Sequence, residues 1–96
     1  MYDVRYAKPA ERYFKKLKDK NLKMAFRTAI EEIQNDPYIG GQKTGDLKGL
    51  YGYDVRYSGV NHEIAYRIYE KEDRLVVVVL AGTRENFYEE LKRLLV

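Results

Sequence analysis

Residues 74 to 81, which read RLVVVVLA, constrain the fold more than any other part of the chain. The run is far too short to cross a membrane. After the arginine its side chains are apolar at both alternating positions, so both faces of a strand formed here must be covered. We therefore predict that this segment is a central strand of a sheet, with helices packed against one side.

Two further segments with strand character precede this run. They are YGYDVRY at 51–57 and HEIAYRIYE at 62–70. SGVN separates the two, and KEDR separates the second from the apolar run. Because both links are of hairpin length, the three strands are predicted to form an antiparallel meander. Near the start of the chain, YDVRY at 2–6 alternates its side chains and predicts a short additional strand.

Two helices are predicted between the first strand and the meander, over residues 8–20 and 21–35. Pro9 suits the first turn of the first helix. Asn21 is a favourable N-cap for the second, and Pro37 disfavours its continuation. The tight link between them predicts an antiparallel helical hairpin. The side chains that we expect to face inward are Ala10, Tyr13, Phe14, Leu17, Leu22, Phe26, Ala29, Ile30 and Ile33.

A last helix is predicted to follow the apolar strand. Thr83 can cap its first turn, because a threonine hydroxyl accepts a hydrogen bond from a backbone N–H there. The side chains expected to pack inward from this helix are Phe87, Leu91, Leu94 and Leu95.

The segment at 38–49, YIGGQKTGDLKG, is rich in glycine and is predicted to be a loop with little regular structure. Together these elements predict one domain over residues 1–96, of class α+β, in the order β-α-α-β-β-β-α. The sheet is predicted to be twisted and antiparallel, with the helical hairpin on one face.

The composition excludes several kinds of chemistry. The chain has no cysteine and one histidine, so disulfides, thiol nucleophiles and thiolate metal sites are excluded. One histidine without a carboxylate cluster does not build a zinc site, so we expect neither a metal nor a cofactor. No stretch resembles a signal peptide or reaches membrane-spanning length, and a cytoplasmic location is expected.

Positive charge is concentrated in the first half of the chain. The formal net charge is +3, and residues 8–23 alone contain seven basic and two acidic side chains. Such a segment can steer a polyanion toward the protein, or it can be an ordinary solvated helix face. Lys15 and Lys16, at the centre of this segment, are candidate contacts for such a polyanion.

Arg84 and Tyr88 are the principal candidates for a functional site. The predicted helix places Arg84 in its first turn and Tyr88 four residues later on the same face. A phosphate bound there would meet the guanidinium and the positive end of the helix dipole. Arg56 shares a face with Asp54 and, in the predicted sheet, can approach Arg84. Alternatively, the arginine is a solvated surface residue and the tyrosine borders the core.

Three other residues have side chains suited to chemistry on a phosphate. His62, at the start of the middle strand, exchanges protons near neutral pH, although a histidine at this position is also an ordinary hairpin residue. Lys43 and Lys48 flank the glycine-rich loop and are candidate clamps for a backbone phosphate.

Several motifs together resemble one protein family over essentially the whole chain. They are GDLKG before the second strand, IAYRI in the third strand and GTRENFYEELKR after the last strand. With the order of elements, they are similar to the RelE/ParE family of toxins of type II toxin–antitoxin systems. In that family, members of the RelE branch cut messenger RNA in the ribosomal A site without a metal. Members of the ParE branch poison DNA gyrase, and a cognate antitoxin silences both.

The resemblance assigns roles to individual residues. It implies that Arg84 and Arg56 stabilise charge on the reacting phosphate, and that Tyr88 stacks on a base or places a proton. It also identifies Lys48 as the family's loop lysine. Glu63 or His62 is implied as the base, since other members use a carboxylate or a histidine.

The chain departs from the RelE pattern at three places. Asp54 occupies a strand position where lysine is common, and Glu63 occupies one where arginine is usual. The spacing from Arg84 to Tyr88 is two residues shorter, which moves the tyrosine by about half a helical turn at roughly 3.6 residues per turn.

We predict a ribosome-dependent messenger-RNA endoribonuclease that inhibits translation. The alternatives are a gyrase inhibitor without nuclease activity, and a catalytically silent member that only binds an antitoxin. The expected partners are an acidic antitoxin, with a heterotetramer as one possible assembly, and the ribosome with its message. No membrane partner is expected.

Overall fold

A computed structural model describes residues 1–71 and 74–95. Within them, one sheet contains five strands: β1 (Asp3–Tyr6), β2 (Gly41–Gln42), β3 (Tyr51–Tyr57), β4 (Val60–Tyr69) and β5 (Leu75–Thr83). Their order across the sheet is β1-β5-β4-β3-β2. The apolar run therefore lies inside the sheet, as predicted. Residues 72 and 73 of the predicted KEDR link lie outside the described residues.

The sheet is mixed. The predicted meander is confirmed, because β3 pairs with β4 and β4 with β5 in antiparallel fashion. However, β1 pairs with β5 in parallel, with Val4 opposite Val76. The prediction that the whole sheet is antiparallel is therefore wrong at this edge. The reason lies at the end of the helical hairpin, where the backbone N–H of Tyr2 donates to the carbonyl of Gln34 at 2.9 Å. The chain thus returns to the end of the sheet where β1 starts, and β3 runs in the same direction as β1. Each of the two hairpins that follow reverses the direction once, so β5 runs parallel to β1.

Two helices, α1 (Lys8–Lys16) and α2 (Lys20–Asn35), form the predicted hairpin. The first ends earlier than predicted, and the N-cap of the second is Asp19 rather than Asn21. The Asp19 carboxylate accepts hydrogen bonds from the backbone N–H groups of Asn21, at 3.0 Å, and Leu22, at 3.1 Å. A carboxylate that satisfies two free donors, at the positive end of the helix dipole, explains the earlier start.

The sheet separates two apolar clusters. The larger cluster packs α1 and α2 against one face, and all five inward residues predicted for α2 are buried in it. Along β4, Ile64 and Tyr66 belong to this cluster, whereas Ala65 faces the opposite side. There Ala65 and Leu80 pack with a smaller set of residues that includes Leu47, Leu50, Phe87 and Leu91. Because side chains alternate along a strand, each residue of β4 is committed to one of two different environments.

The last helix, α3 (Phe87–Leu94), begins later than predicted. Thr83 does not cap it, because this residue is still part of β5 and pairs with His62. The N-cap position is taken by Asn86, whose φ of 62° is left-handed, a conformation that asparagine tolerates better than most residues. Phe87 and Leu91 are buried as predicted. The inward packing predicted for Leu94 and Leu95 is wrong, since both are exposed.

The segment predicted to be an irregular loop contains more structure than expected. Short 3₁₀ turns span Pro37–Ile39 and Gly45–Leu47, and β2 lies between them. Leu47 and Leu50 anchor this segment in the smaller cluster. None of the helices in the described ranges has both the length and the apolar character needed to cross a membrane.

Glu70 ties together three segments at the end of the sheet far from Arg84. Its carboxylate accepts hydrogen bonds from the hydroxyl of Tyr2, at 2.6 Å, and from the hydroxyl of Tyr38. The hydrogen bond from Tyr2, followed in size by the one from Tyr38, holds the pKa of Glu70 below its ordinary value. The same contact with Glu70 raises the pKa of Tyr38 to about 12.

We expect the protein to lose stability as the pH falls below the ordinary pKa of a glutamate, about 4.5. The folded-state pKa of Glu70 lies below the unfolded-state value, so its contribution is present above the unfolded value and lost as the pH falls through the folded one. Glu70→Gln should flatten this part of the profile. Urea unfolding between neutral pH and about pH 3 measures it, and equal acid sensitivity in both proteins would contradict the assignment.

Candidate functional site

The β3–β4 hairpin sets which side chains meet on the site face. Ser58 and Gly59 both have positive φ, 52° and 77°, as expected of a two-residue hairpin turn. In the resulting register Asp54 lies opposite Glu63, and Arg56 lies opposite Asn61. Val55, between Asp54 and Arg56, belongs to the cluster under the helical hairpin. Asp54, Arg56 and Glu63 therefore face the other side of the sheet, together with α3.

Glu63 is a buried carboxylate between two cations. The residue is only 5% exposed. The Nζ of Lys43 lies 2.7 Å from its Oε2, and the Nε of Arg84 lies 3.6 Å from its Oε1. Each carboxylate oxygen thus faces a different positive charge, which is the arrangement that makes a buried ion tolerable.

Gly52 on β3 makes room for this ion pair. A Cβ placed there would lie 2.5 Å from Oε2 of Glu63 and 3.1 Å from both Cε and Nζ of Lys43. Only glycine leaves enough space at this position for the pair as it stands. Nothing in the sequence singles out Gly52, because a glycine in a strand carries no chemical group.

The backbone of Arg84 is fixed while the tip of its side chain is exposed. Its N–H donates to the carbonyl of Asn61 at 3.0 Å, and its carbonyl accepts from the N–H of Phe87 at 3.2 Å. The side chain is 55% exposed, and its Nη1 lies 3.5 Å from Oδ1 of Asp54. The prediction that Arg84 lies in the first turn of the last helix is wrong, because α3 begins at Phe87. The expected pairing of Arg84 with Tyr88 on successive helical turns is therefore also wrong.

Asn61 joins the two candidate arginines. The Nη1 of Arg56 donates to Oδ1 of Asn61 at 3.0 Å, while the main-chain carbonyl of Asn61 holds Arg84. The two arginines thus lie on either side of Asn61, and a direct approach of Arg56 to Arg84 stays a prediction. Its role could have been found from the Ser-Gly turn, since a two-residue turn places Asn61 opposite Arg56.

Tyr88 and Lys48 lie on the elements that border the site. Tyr88 is 51% exposed, and the Nζ of Lys92 lies 4.8 Å from the centre of its ring. Lys92 also reaches Asp46, with 3.6 Å between Nζ and Oδ2, so α3 is tied to the loop that carries Lys48. Lys48 is exposed directly after the buried Leu47. Both side chains are exposed.

Three of the predicted residues do not join this group. His62 faces the helical hairpin, is 4% exposed and packs edge-on against Phe26, with ring centres 5.6 Å apart. Lys15 and Lys16 are exposed on α1, which covers that same face, and Lys15 pairs with Glu11 at 3.9 Å. Histidine and glutamate are adjacent in the sequence, and the alternation of the strand sends them to opposite faces.

We expect His62→Leu to leave the free energy of unfolding at neutral pH unchanged, or to raise it by up to about 1 kcal/mol. Within the described residues, the buried Nδ1 of His62 has no hydrogen-bond partner, so an apolar side chain of similar size removes an uncompensated polar group. Urea unfolding measures the change. A loss above about 1 kcal/mol would show that the imidazole makes a stabilising contact.

The site face combines positive charge with carboxylates. Lys43, Arg56 and Arg84 are the cations, and Asp54 and Glu63 are the anions. Exposed guanidinium groups can neutralise a phosphate, and a carboxylate beside them can accept a proton. Within the part of the chain that the structure describes, no group of three or more metal-ligating side chains converges.

Comparison with known proteins identifies the class. A family model described as ParE-like toxin of type II bacterial toxin-antitoxin system matches residues 4–92. The chain therefore belongs to this family, and the resemblance to RelE/ParE toxins is confirmed. No curated protein matches it in sequence.

Solved structures share the fold. The isolated RelE toxin of E. coli has a TM-score of 0.69 at 22% identity, over 98% of this chain and 99% of that one. A chain of the intact E. coli RelBE toxin-antitoxin complex has a TM-score of 0.68 at 21% identity, over 85% and 95%. A chain of a RelBE toxin-antitoxin complex from Mycobacterium tuberculosis has a TM-score of 0.66 at 26% identity, over 86% and 98%.

Proposed function

We propose that this toxin is a metal-independent endoribonuclease that cuts messenger RNA on the ribosome and thereby inhibits translation. The observation that supports this most directly is the pairing of Arg84 with Glu63. An exposed guanidinium and an oxygen of a buried carboxylate lie 3.6 Å apart at the end of β5, on the face of the sheet opposite the helical hairpin. Cleavage of RNA next to a ribose requires a cation for the phosphate and a group that accepts the proton of the 2′-hydroxyl.

In this proposal the 2′-oxygen attacks the adjacent phosphorus and the bond to the 5′-oxygen breaks. Glu63 accepts the proton of the 2′-hydroxyl, since it is the predicted base that lies on the site face. Arg84 and Arg56 stabilise the charge that builds on the phosphate oxygens. Tyr88 stacks on a base or returns a proton to the leaving 5′-oxygen. The products are a 2′,3′-cyclic phosphate and a 5′-hydroxyl.

The lysines act in binding. Lys48 is exposed on the loop that also carries Lys43, and we assign it to the next phosphate of the message. Lys43 neutralises Glu63 in the folded protein, and this contact supports a role in holding the carboxylate as much as a role in binding RNA. Lys15 lies on the helix that covers the other side of the sheet, and Lys16 lines a groove between α1 and α3. We propose that both contact RNA of the ribosome rather than the scissile phosphate.

A second candidate function, inhibition of DNA gyrase, is favoured by the charge of the site. Asp54 and Glu63 face Arg84 from two strands, which reduces its attraction for a phosphate. The third candidate, a member that only binds an antitoxin, is favoured by the same observation.

An acidic antitoxin is the proposed partner, with a heterotetramer as one possible assembly. Two of the structural relatives are toxins solved together with their antitoxin. The net charge of +3 and the basic segment at 8–23 are complementary to an acidic chain, and such an association is faster at low salt. A cytoplasmic location is proposed with this function, because the ribosome is the site of action.

Three assays separate the candidate functions. The purified protein should cut messages on translating ribosomes, and the cut positions can be mapped by primer extension. A gyrase inhibitor would instead produce double-strand breaks in DNA with purified gyrase. A silent member would do neither and would leave growth unchanged. Cleavage absent from translating ribosomes would overturn the proposal.

A further inference from the structure

Two carboxylates on neighbouring strands contact Arg84, and they differ in how deeply they are buried. Glu63 on β4 is buried and lies 2.7 Å from Lys43, so its position is fixed independently of Arg84. Asp54 on β3 is 66% exposed and lies 3.5 Å from Nη1 of Arg84, which is itself exposed. The contact with Asp54 is thus an exposed ion pair at the outer edge of the guanidinium.

We infer that Asp54 is a specificity-determining residue that competes with the substrate phosphate for Arg84. A phosphodiester approaching from solvent meets the outer Nη edge of the guanidinium, and this is the edge that Asp54 faces. The inference rests on the proposed function for the nature of the ligand, an RNA chain.

A phosphate can displace Asp54 from Arg84 because the two contacts differ in strength. An exposed carboxylate–guanidinium pair is weak, whereas a phosphate accepts two hydrogen bonds from one guanidinium. After displacement the charge of Asp54 remains close to the bound phosphate and repels it. Arg84 alone therefore holds a single phosphate poorly. A ligand that also offers a neighbouring phosphate to Arg56 or Lys48 gains further contacts, so the site selects an extended chain of phosphodiesters over an isolated phosphate.

The test is binding of a single-stranded oligoribonucleotide whose 2′-hydroxyls are methylated, so that it cannot be cut. Removing one unit charge about 4 Å from a phosphate in water should tighten binding about fivefold at low salt. We expect this gain for Asp54→Asn, and we expect it to shrink as salt is added. In an Arg84→Ala background the same substitution should give no gain, because without the guanidinium no phosphate is held close to residue 54.

Glu31→Gln is the matched control. It also removes one exposed carboxylate, but on α2, which covers the other face of the sheet. The inference is overturned if Glu31→Gln tightens binding as much as Asp54→Asn, or if the gain persists without Arg84. It is also overturned if Asp54→Asn gains nothing or if neither protein binds. Melting temperatures confirm that each variant is folded.

Failure of the proposed function has a different signature. If Asp54→Asn binds the oligonucleotide more tightly through Arg84 but the parent cuts no message on ribosomes, the nuclease proposal falls and the competition stands. If the parent cuts messages and Asp54→Asn changes neither binding nor its salt dependence, the nuclease proposal stands and the competition of Asp54 with the phosphate is refuted.

Discussion

Replacing Arg84 with alanine is expected to slow cleavage of ribosome-bound messenger RNA by about a hundred- to a thousandfold. The estimate treats the guanidinium as one preorganised donor to the developing charge, whose removal costs about 2.7–4 kcal/mol. The backbone hydrogen bonds of Arg84 to Asn61 and Phe87 do not involve its side chain and survive the change. Cleavage rates at saturating ribosome concentration, measured with purified parent and variant, give the ratio.

Two controls separate this effect from loss of structure. The Arg84 side chain is 55% exposed but also faces the buried Glu63, so its truncation should cost more than the roughly 1 kcal/mol of an exposed ion pair and less than the roughly 3–5 kcal/mol of a broken buried pair, because Lys43 stays beside Glu63. Arg27→Ala removes an exposed arginine from α2, on the opposite face of the sheet, and should leave the cleavage rate unchanged. A rate for Arg84→Ala within about threefold of the parent, well below what loss of such a donor costs, would show that the site has been assigned to the wrong residues.

The sequence predicted the fold best where a periodic pattern of apolar residues determines which side chains are buried. All five residues predicted to face inward from α2 are buried, because apolar residues three and four apart form one stripe of a helix. The interior position of β5 followed from apolar side chains on both of its faces. These patterns are local, so one sequence is sufficient to find them.

The predictions failed where a choice depends on distant partners. The parallel pairing of β1 with β5 follows from the direction in which α2 returns the chain, and that direction has no local signal. The start of α3 moved from Thr83 to Asn86 because pairing with His62 keeps Thr83 in the strand. Leu94 and Leu95 looked like core residues because their spacing continues the apolar stripe, but the smaller cluster ends before it reaches them.

The candidate site was predictable in its residue types more than in its geometry. Arg84, Arg56 and Glu63 were singled out; in the structure Arg84 faces Glu63 directly, and Asn61 contacts both arginines. His62 and Glu63 were left as alternatives, although a strand sends adjacent side chains to opposite faces. Reading Ser58 and Gly59 as the turn would have fixed the face of each, because a two-residue turn sets the register of the whole hairpin.

Gly52 contributes to the site only by leaving space for the Glu63–Lys43 ion pair. Gly52→Ala is therefore expected to destabilise the fold by about 1–3 kcal/mol, the usual cost of overpacking an interior. The matched control is Gly41→Ala, since Gly41 pairs with Gly52 across the β2–β3 ladder and a Cβ there meets nothing within 4 Å. That control should be neutral or slightly stabilising, because alanine restricts the unfolded chain. Urea unfolding of both variants gives the comparison.

A double-mutant cycle then tests whether the cost of Gly52→Ala arises at the ion pair. The added methyl group would lie 2.5 Å from Oε2 of Glu63 and 3.1 Å from Nζ of Lys43, so it would press on both partners of the ion pair. Shortening Glu63 to alanine removes the atom that the methyl group meets. Gly52→Ala should therefore cost much less in the Glu63→Ala background than in the parent, with a coupling above about 0.5 kcal/mol. If the two costs simply add, the clash lies elsewhere, and Gly52 is not the residue that makes room for the buried carboxylate beside Arg84.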